Sequence, residues 1–186
     1  MSNLTREQAV TLLCRNLNLE GENRESFRFQ DSRNFQSWSR EAINAATQKN
    51  VVAGYKDGTF RPSNSITRGE AAKIIATALG NRVSVPGAAS LGFVNGNASI
   101  CASGVTLRDT IITGDLYITP GVGLGFTDLV NVKVMGDVIV SGAGESNAGQ
   151  SSIRLTDSTL HQLVIKGSTG RGIALKIDGA TEVYNT

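Results

Sequence analysis

Two stretches of this chain, residues 105–118 (VTLRDTIITGDLYI) and 127–140 (TDLVNVKVMGDVIV), align without a gap 22 residues apart. Leu107 meets Leu129, Asp109 meets Asn131, Ile112 meets Val134, Gly114-Asp115 meets Gly136-Asp137, and Ile118 meets Val140. A third copy at residues 155–165 matches at Leu155, Asp157 and Leu160, and a looser fourth lies around residues 175–183. A unit this short cannot bury its own apolar face and must stack on its neighbours. The units are rich in β-branched residues and separated by glycine turns, which predicts a short parallel β-helix. Stacking then places Leu107, Leu129 and Leu155 one above another inside, with Asp109, Asn131 and Asp157 in a column at a corner. An antiparallel β-sandwich is the alternative, since short strands with glycine turns also suit it.

The rest of the chain has a different grammar. Only five of the 21 glycines fall within residues 1–80, against 16 beyond them, and residues 80–88 supply Gly and Pro for a boundary. Thr5-Arg6-Glu7-Gln8 and Thr67-Arg68-Gly69-Glu70 both read as capping boxes, a Thr followed three residues later by Gln or Glu. Apolar residues follow at helical spacing: Val10, Leu13 and Leu17 after the first, Ala71, Ile74, Ile75 and Leu79 after the second. A third helix is expected over roughly residues 38–49, from Trp38, Ala42, Ala45 and Ala46, ending at Asn50. Between the helices, residues 54–62 (GYKDGTFRP) carry Asp57-Gly58, a turn signal.

Phe29, Asp31, Trp38, Ile43, the loop at residues 54–62 and Ile66-Thr67-Arg68-Gly69-Glu70 occur in an order that resembles the S-layer homology motif. Asn50, Gly69 and Gln8 depart from the usual Gly, Ala and Glu of that pattern. The resemblance implies a helical module over residues 1–82, with a partial motif at 1–20 and a full motif at 27–80. A β-solenoid over 83–186 follows, giving an α+β chain in two parts. Repeats with similar Gly-Val-Gly and Gly-Asp phrases accompany the motif in surface proteins.

The resemblance further implies non-covalent attachment to secondary cell-wall polysaccharide at a bacterial cell surface. Arginine suits an acidic sugar substituent and an aromatic face suits a sugar ring. By motif position the candidate contacts are Arg68 and its counterpart Arg6 for the anion, Trp38 for the sugar, and Tyr55, Asp57 and Gly58 for the rim. The family usually arranges three motifs about a pseudo-threefold axis, and this chain holds about one and a half. The expectation is therefore either a piece of a longer protein or completion by self-association. An open-ended solenoid also exposes strand edges that stack on another copy, so a self-assembling surface subunit is the rival function.

Other classes of function find little support. The net charge is +2, from 18 basic and 16 acidic residues interspersed along the chain, which gives no basic stripe for nucleic acid. No apolar stretch is long enough to cross a bilayer, and the polar start MSNLTREQ has no secretion signal. His161 is the one histidine, and Cys14 and Cys101 lie far apart, so no metal or cofactor is expected; both thiols read as buried small hydrophobes, with a disulfide within or between chains the alternative. Gly121-Val122-Gly123-Leu124-Gly125 lacks the Lys-Ser/Thr ending of a phosphate loop. Asp115 and Asp137 occupy equivalent positions and form the one carboxylate pair a β-helix lyase or hydrolase would use, a less favoured reading. The segment 141–152 (SGAGESNAGQSS) is expected to be a surface excursion from the solenoid.

Overall fold

The computed structural model describes residues 3–21, 28–142, 152–166 and 173–185. The chain divides into two compact units, Met1–Ala78 and Leu79–Thr186. Most of the glycine-rich segment expected as an excursion, residues 143–151, lies outside the described residues.

The first unit contains three 12-residue helices, α1 (Arg6–Leu17), α2 (Ser37–Gln48) and α3 (Arg68–Leu79). Both predicted capping boxes form. The Gln8 N–H donates to the Thr5 hydroxyl at 3.3 Å and the Thr5 N–H to Gln8 Oε1 at 2.9 Å. Thr67 and Glu70 repeat the exchange at 3.2 and 2.9 Å. Two further N–H groups at the start of α1, those of Arg6 and Glu7, donate to the Asn64 and Pro62 carbonyls. Helix α2 ends one residue earlier than expected, and Asn50 then takes φ 55°, the left-handed conformation its amide side chain tolerates.

Side chains far apart in sequence fasten these helices together. Glu7 Oε2 accepts from the Ser39 hydroxyl at 2.9 Å and the Gln36 N–H at 3.3 Å, so a carboxylate of α1 caps the start of α2. Asp31 accepts from the Phe60 and Arg61 N–H groups at 2.8 and 2.7 Å, which fixes the loop at residues 54–62. Phe29, Phe35 and Phe60 form an aromatic cluster with ring centroids 5.3–6.2 Å apart. Cys14 is buried, its thiol pushed up to about 11 by desolvation, while Cys101 in the second unit is only half-buried; both are free thiols.

In the second unit, β1 (Asn81–Val83), β2 (Gly87–Ala89) and β3 (Gly92–Val94) form a first turn. β4 (Ala98–Ile100), β5 (Val105–Ile112), β6 (Leu116–Ile118) and β7 (Thr127–Val140) follow. The described chain ends with β8 (Ile153–Thr156), β9 (Thr159–Ile165), β10 (Leu175–Asp178) and β11 (Glu182–Asn185). Every pair among these strands is parallel, which decides for the β-solenoid over the antiparallel sandwich.

The strands stack into three faces. One runs β1, β4, β6, the end of β7 and the end of β9. A second runs β2, the start of β5, the start of β7, β8 and β10. The third runs β3, the end of β5, the middle of β7, the start of β9 and β11. Leu107, Leu129 and Leu155 lie in register and are fully buried, as the repeat predicts.

Two corner columns explain the recurring polar phrases. Asp109, Asn131 and Asp157 have φ 49°, 54° and 49°, and the Asn131 amide donates to Asp109 Oδ1 at 2.8 Å. At the other corner the Asp115 N–H donates to Asn97 Oδ1 at 2.9 Å, and the Asp137 N–H to Asp115 Oδ1 at 3.0 Å. A Cβ at Gly136 would sit 2.4 Å from that same Asp115 oxygen, so the residue before each Asp must be glycine. Asp115 Oδ2 accepts from the Tyr117 hydroxyl at 3.1 Å. The carboxylate pair weighed as catalytic is thus a rung-to-rung ladder, with Asp115 buried and both its oxygens engaged. His161 reaches Asp137 Oδ1 from the next turn at 3.3 Å.

Candidate functional site

Helix α1 begins where the loop at residues 54–62 ends, and this brings Arg6 under that loop. The Arg6 guanidinium donates to the Ala53 carbonyl at 3.0 Å and lies 3.6 Å from Glu70 Oε1. It faces the Tyr55 and Phe60 rings, 5.1 and 5.0 Å from their centroids. With 6% of its surface exposed, Arg6 is a wall of the unit more than a surface cation. The charge is neutralised by Glu70 and shielded by two ring faces, which is how an interior guanidinium becomes tolerable.

Glu70 joins these parts. Its Oε2 accepts from the Thr67 N–H and hydroxyl at 2.9 and 2.8 Å, and its Oε1 accepts from the Tyr55 hydroxyl. The Tyr55 hydroxyl, then the Thr67 donors, hold the Glu70 carboxyl down to about 2, while the same bond to Glu70 raises the Tyr55 phenol. The capping residue of α3 is therefore also the acceptor that orients Tyr55.

A cavity of about 360 Å³ opens beside this group, lined by Arg6, Tyr55 and Glu70, by Asn50, Lys73 and Thr77, and by the apolar Val51, Ala53, Gly54 and Ile74. Lys73 and Thr77 lie one and two turns beyond Glu70 on α3. The site thus offers the Lys73 cation, the Arg6–Glu70 ion pair, an amide, a hydroxyl and a Tyr55 ring held in place, beside an apolar wall. That inventory can hold a polar ring bearing a negative group, with Lys73 pairing the charge and the neutral groups meeting hydroxyls. No group of three or more His, Cys, Asp or Glu side chains that could hold a metal occurs among the described residues.

The structure brings only some of the sequence candidates together. Arg6 and Tyr55 line the cavity. Asp57 lies in the turn beyond Tyr55, where it accepts from the Thr59 N–H and hydroxyl at 3.0 and 2.6 Å and pairs with Arg61 at 2.7 Å. These bonds hold its carboxyl far below the usual range, with the Thr59 hydroxyl the largest cause. Gly58 takes φ 75° and its N–H donates to the Tyr55 carbonyl, so this pair builds the turn. Arg61 stacks over the outer face of Tyr55 at 4.0 Å. Trp38, 45% exposed near the start of α2, and Arg68, exposed at the first position of α3, are not among the residues lining this cavity. Lys73 and Thr77 were not singled out from sequence, and Asn50 was read there only as a helix end and a departure from the motif. The 3–4-residue spacing of positions 70, 73 and 77 was the available signal, and the eye for apolar periodicity passes over it.

Comparison with known proteins locates these features. The family model described as S-layer homology domain matches residues 28–72. A cellulosome-anchoring protein of Acetivibrio thermocellus is 38% identical over 77 residues, covering 39% of this chain and 17% of the relative. The outer membrane protein SlpA of Deinococcus radiodurans is 48% identical over 42 residues, 23% of this chain and 4% of the relative. An endoglucanase of a Bacillus species is 34% identical over 86 residues, 45% of this chain and 9% of the relative. The chain thus spans less than a fifth of each of these relatives. No solved structure matches the chain significantly.

Proposed function

We propose that the helical module over residues 1–82, of which residues 28–72 match the S-layer homology domain, anchors this protein to a bacterial cell wall by binding secondary cell-wall polysaccharide, and that the β-solenoid is its non-catalytic surface part. The cavity beside Tyr55 carries the reading. It is concave, it sets Lys73, Asn50 and Thr77 beside the Arg6–Glu70 ion pair, and it includes Arg6, Tyr55 and Glu70, which stand at motif positions. Names of two relatives, a cellulosome-anchoring protein and an outer membrane protein, fit a surface setting. No described helix is long and apolar enough to cross a membrane.

Within this reading Tyr55, its ring held by the Arg6 and Arg61 guanidinium groups, forms a fixed wall, Arg6 holds Tyr55 and Glu70 in place, and Lys73 meets the anionic group. Asp57 and Gly58 shape the rim through their turn. Arg68 is proposed as a separate anion contact. It is exposed at the N-terminal end of α3, where a cation opposes the helix dipole, so helix stability gives no reason for a positive charge there. Trp38, half-exposed, is proposed as a sugar platform distinct from the cavity. The engaged oxygens of Asp115 support a non-catalytic solenoid.

The test is titration calorimetry of the chain with purified secondary cell-wall polysaccharide. Lys73→Ala and Arg68→Ala should each weaken binding about tenfold with unchanged circular dichroism, the scale of one lost charge-assisted hydrogen bond. No heat and no co-sedimentation with the wild-type chain would sink the anchoring reading. Release of reducing ends from the same polysaccharide would overturn the non-catalytic one.

A further inference from the structure

The corner where the second face of the solenoid turns into the third carries a groove of about 390 Å³ on the outside of the stack. One wall is the column Asp109, Asn131 and Asp157. The other is Ile111, Lys133 and Thr159, which follow one another in register on β5, β7 and β9. The groove therefore runs across the strands, along the solenoid axis, and presents a short polar side chain once per turn.

This corner differs from the one at Asp115, where the carboxylate is buried and both its oxygens are engaged. Here the three side chains are exposed and each is only partly committed. Asp109 Oδ1 accepts from the Asn131 amide at 2.8 Å, and Asp157 Oδ1 from the Ala180 N–H at 2.9 Å. Among the described residues, the second oxygens of Asp109 and Asp157, the Asn131 amide oxygen and the Lys133 ammonium have no hydrogen-bond or ion-pair partner. The opposite wall is apolar at one end. Ile111 is 41% exposed, and Phe93, next to it in the same outward column, is 68% exposed. The matching outward column of the second face reads Ala88, Thr106, Asp128 and Arg154, with no large apolar side chain. A row of held acceptors opposite exposed apolar groups and a free cation suits a molecule with hydroxyls on its rim and C–H groups on its faces.

We propose that this groove binds a neutral polysaccharide chain, laid along the solenoid axis with one sugar against each turn. Neighbouring strands lie about 4.8 Å apart, and a pyranose chain advances by a similar distance per sugar, so repeating hydroxyls meet repeating acceptors. The carboxylate and amide oxygens accept from hydroxyls, Lys133 donates to one, and Ile111 and Phe93 cover C–H faces. An extended peptide repeats on one face only every ~6.7 Å, out of step with the turns. A phosphodiester or uronate chain would set its charges against Asp109 and Asp157. The groove is thus a second glycan contact, on the other unit of the chain and with the opposite charge preference from the cavity beside Tyr55.

Amide NMR titration of the full chain with neutral β-1,4-linked hexasaccharides of glucose, N-acetylglucosamine and mannose tests this. At least one should shift the amides of residues 109–111, 131–133 and 157–159. Its affinity should rise with chain length until the oligosaccharide spans the four strands that line the groove, β3, β5, β7 and β9. Asp109→Gly, which the left-handed backbone there accommodates, and Lys133→Ala should each weaken binding about tenfold. Lys133→Ala alters only an exposed side chain and carries the test if the corner change disturbs folding. No shift with any of the three sugars, shifts confined to residues outside the groove, or binding indifferent to both variants would each overturn the proposal. So would tighter binding of hexagalacturonate or hexalysine than of every neutral hexamer. Anchoring by the first unit is read from different amides and different variants, so either proposal can fail while the other stands.

Discussion

Glu70 has three duties, and they give it a pH signature. It closes the capping box of α3, orients Tyr55 and neutralises Arg6. Its carboxyl titrates near 2, against an ordinary 4.5, because the Tyr55 hydroxyl and the Thr67 donors favour the charged form. A pKa lowered by folding contributes stability that is complete above the ordinary value and lost as pH falls through the folded one. The helical dichroism of the first unit should therefore melt at progressively lower temperature between about pH 4.5 and 2. Glu70→Gln should flatten that step and lower stability at neutral pH. An unchanged acid profile in the variant would show that other carboxylates govern it. The neighbouring Gly69 makes the opposite kind of prediction. A Cβ there would meet nothing within 4 Å, so the glycine serves no close approach inside α3. Gly69→Ala should stabilise the chain by about 0.5–1 kcal/mol in urea unfolding, chiefly through chain entropy.

At the scale of elements, local signals were legible and partnerships between distant segments were not. Both capping boxes, the turn at Asp57-Gly58 and the Leu107, Leu129, Leu155 ladder could be read because each depends on spacing within a few residues or on a fixed repeat. The burial of Arg6 could not, since it depends on a loop some 47 residues away. Nor could Glu7 be seen to cap α2, where Gln36 provides no side-chain cap of its own. The first solenoid turn also escaped. It pairs Gly87 with Val105, 18 residues on, where the recognised copies repeat at 22, and it has Leu91 near the corner taken by Asp109 in the next turn. Corner loops absorb such differences in length while the strands keep register, so a single period finds only the turns that share it. The corners themselves are testable. Asn131 stands at φ 54°, which costs most residues about 1 kcal/mol or more and glycine little. Asn131→Ala should lower stability by about 1–2 kcal/mol, whereas Asn131→Gly should fall within about 1 kcal/mol of the parent despite losing the same bond to Asp109. Equal losses in the two variants would assign the effect to that hydrogen bond instead of the backbone.

Across the solenoid as a whole, each turn leans only on its neighbours, so stability need not be uniform along the stack. β7 is paired on both sides along its length, by β5 and β6 below and by β8 and β9 above, and its inward residues are almost completely buried. β10 and β11 are each paired on one side and carry half-exposed inward side chains. Local opening free energy follows burial and pairing, which predicts a gradient of amide exchange. In dilute solution, peptides covering residues 175–185 should exchange well before those covering 127–140, with residues 153–165 between them. Uniform exchange along the stack would mean that the solenoid opens as one cooperative body, its last turn held as firmly as its middle.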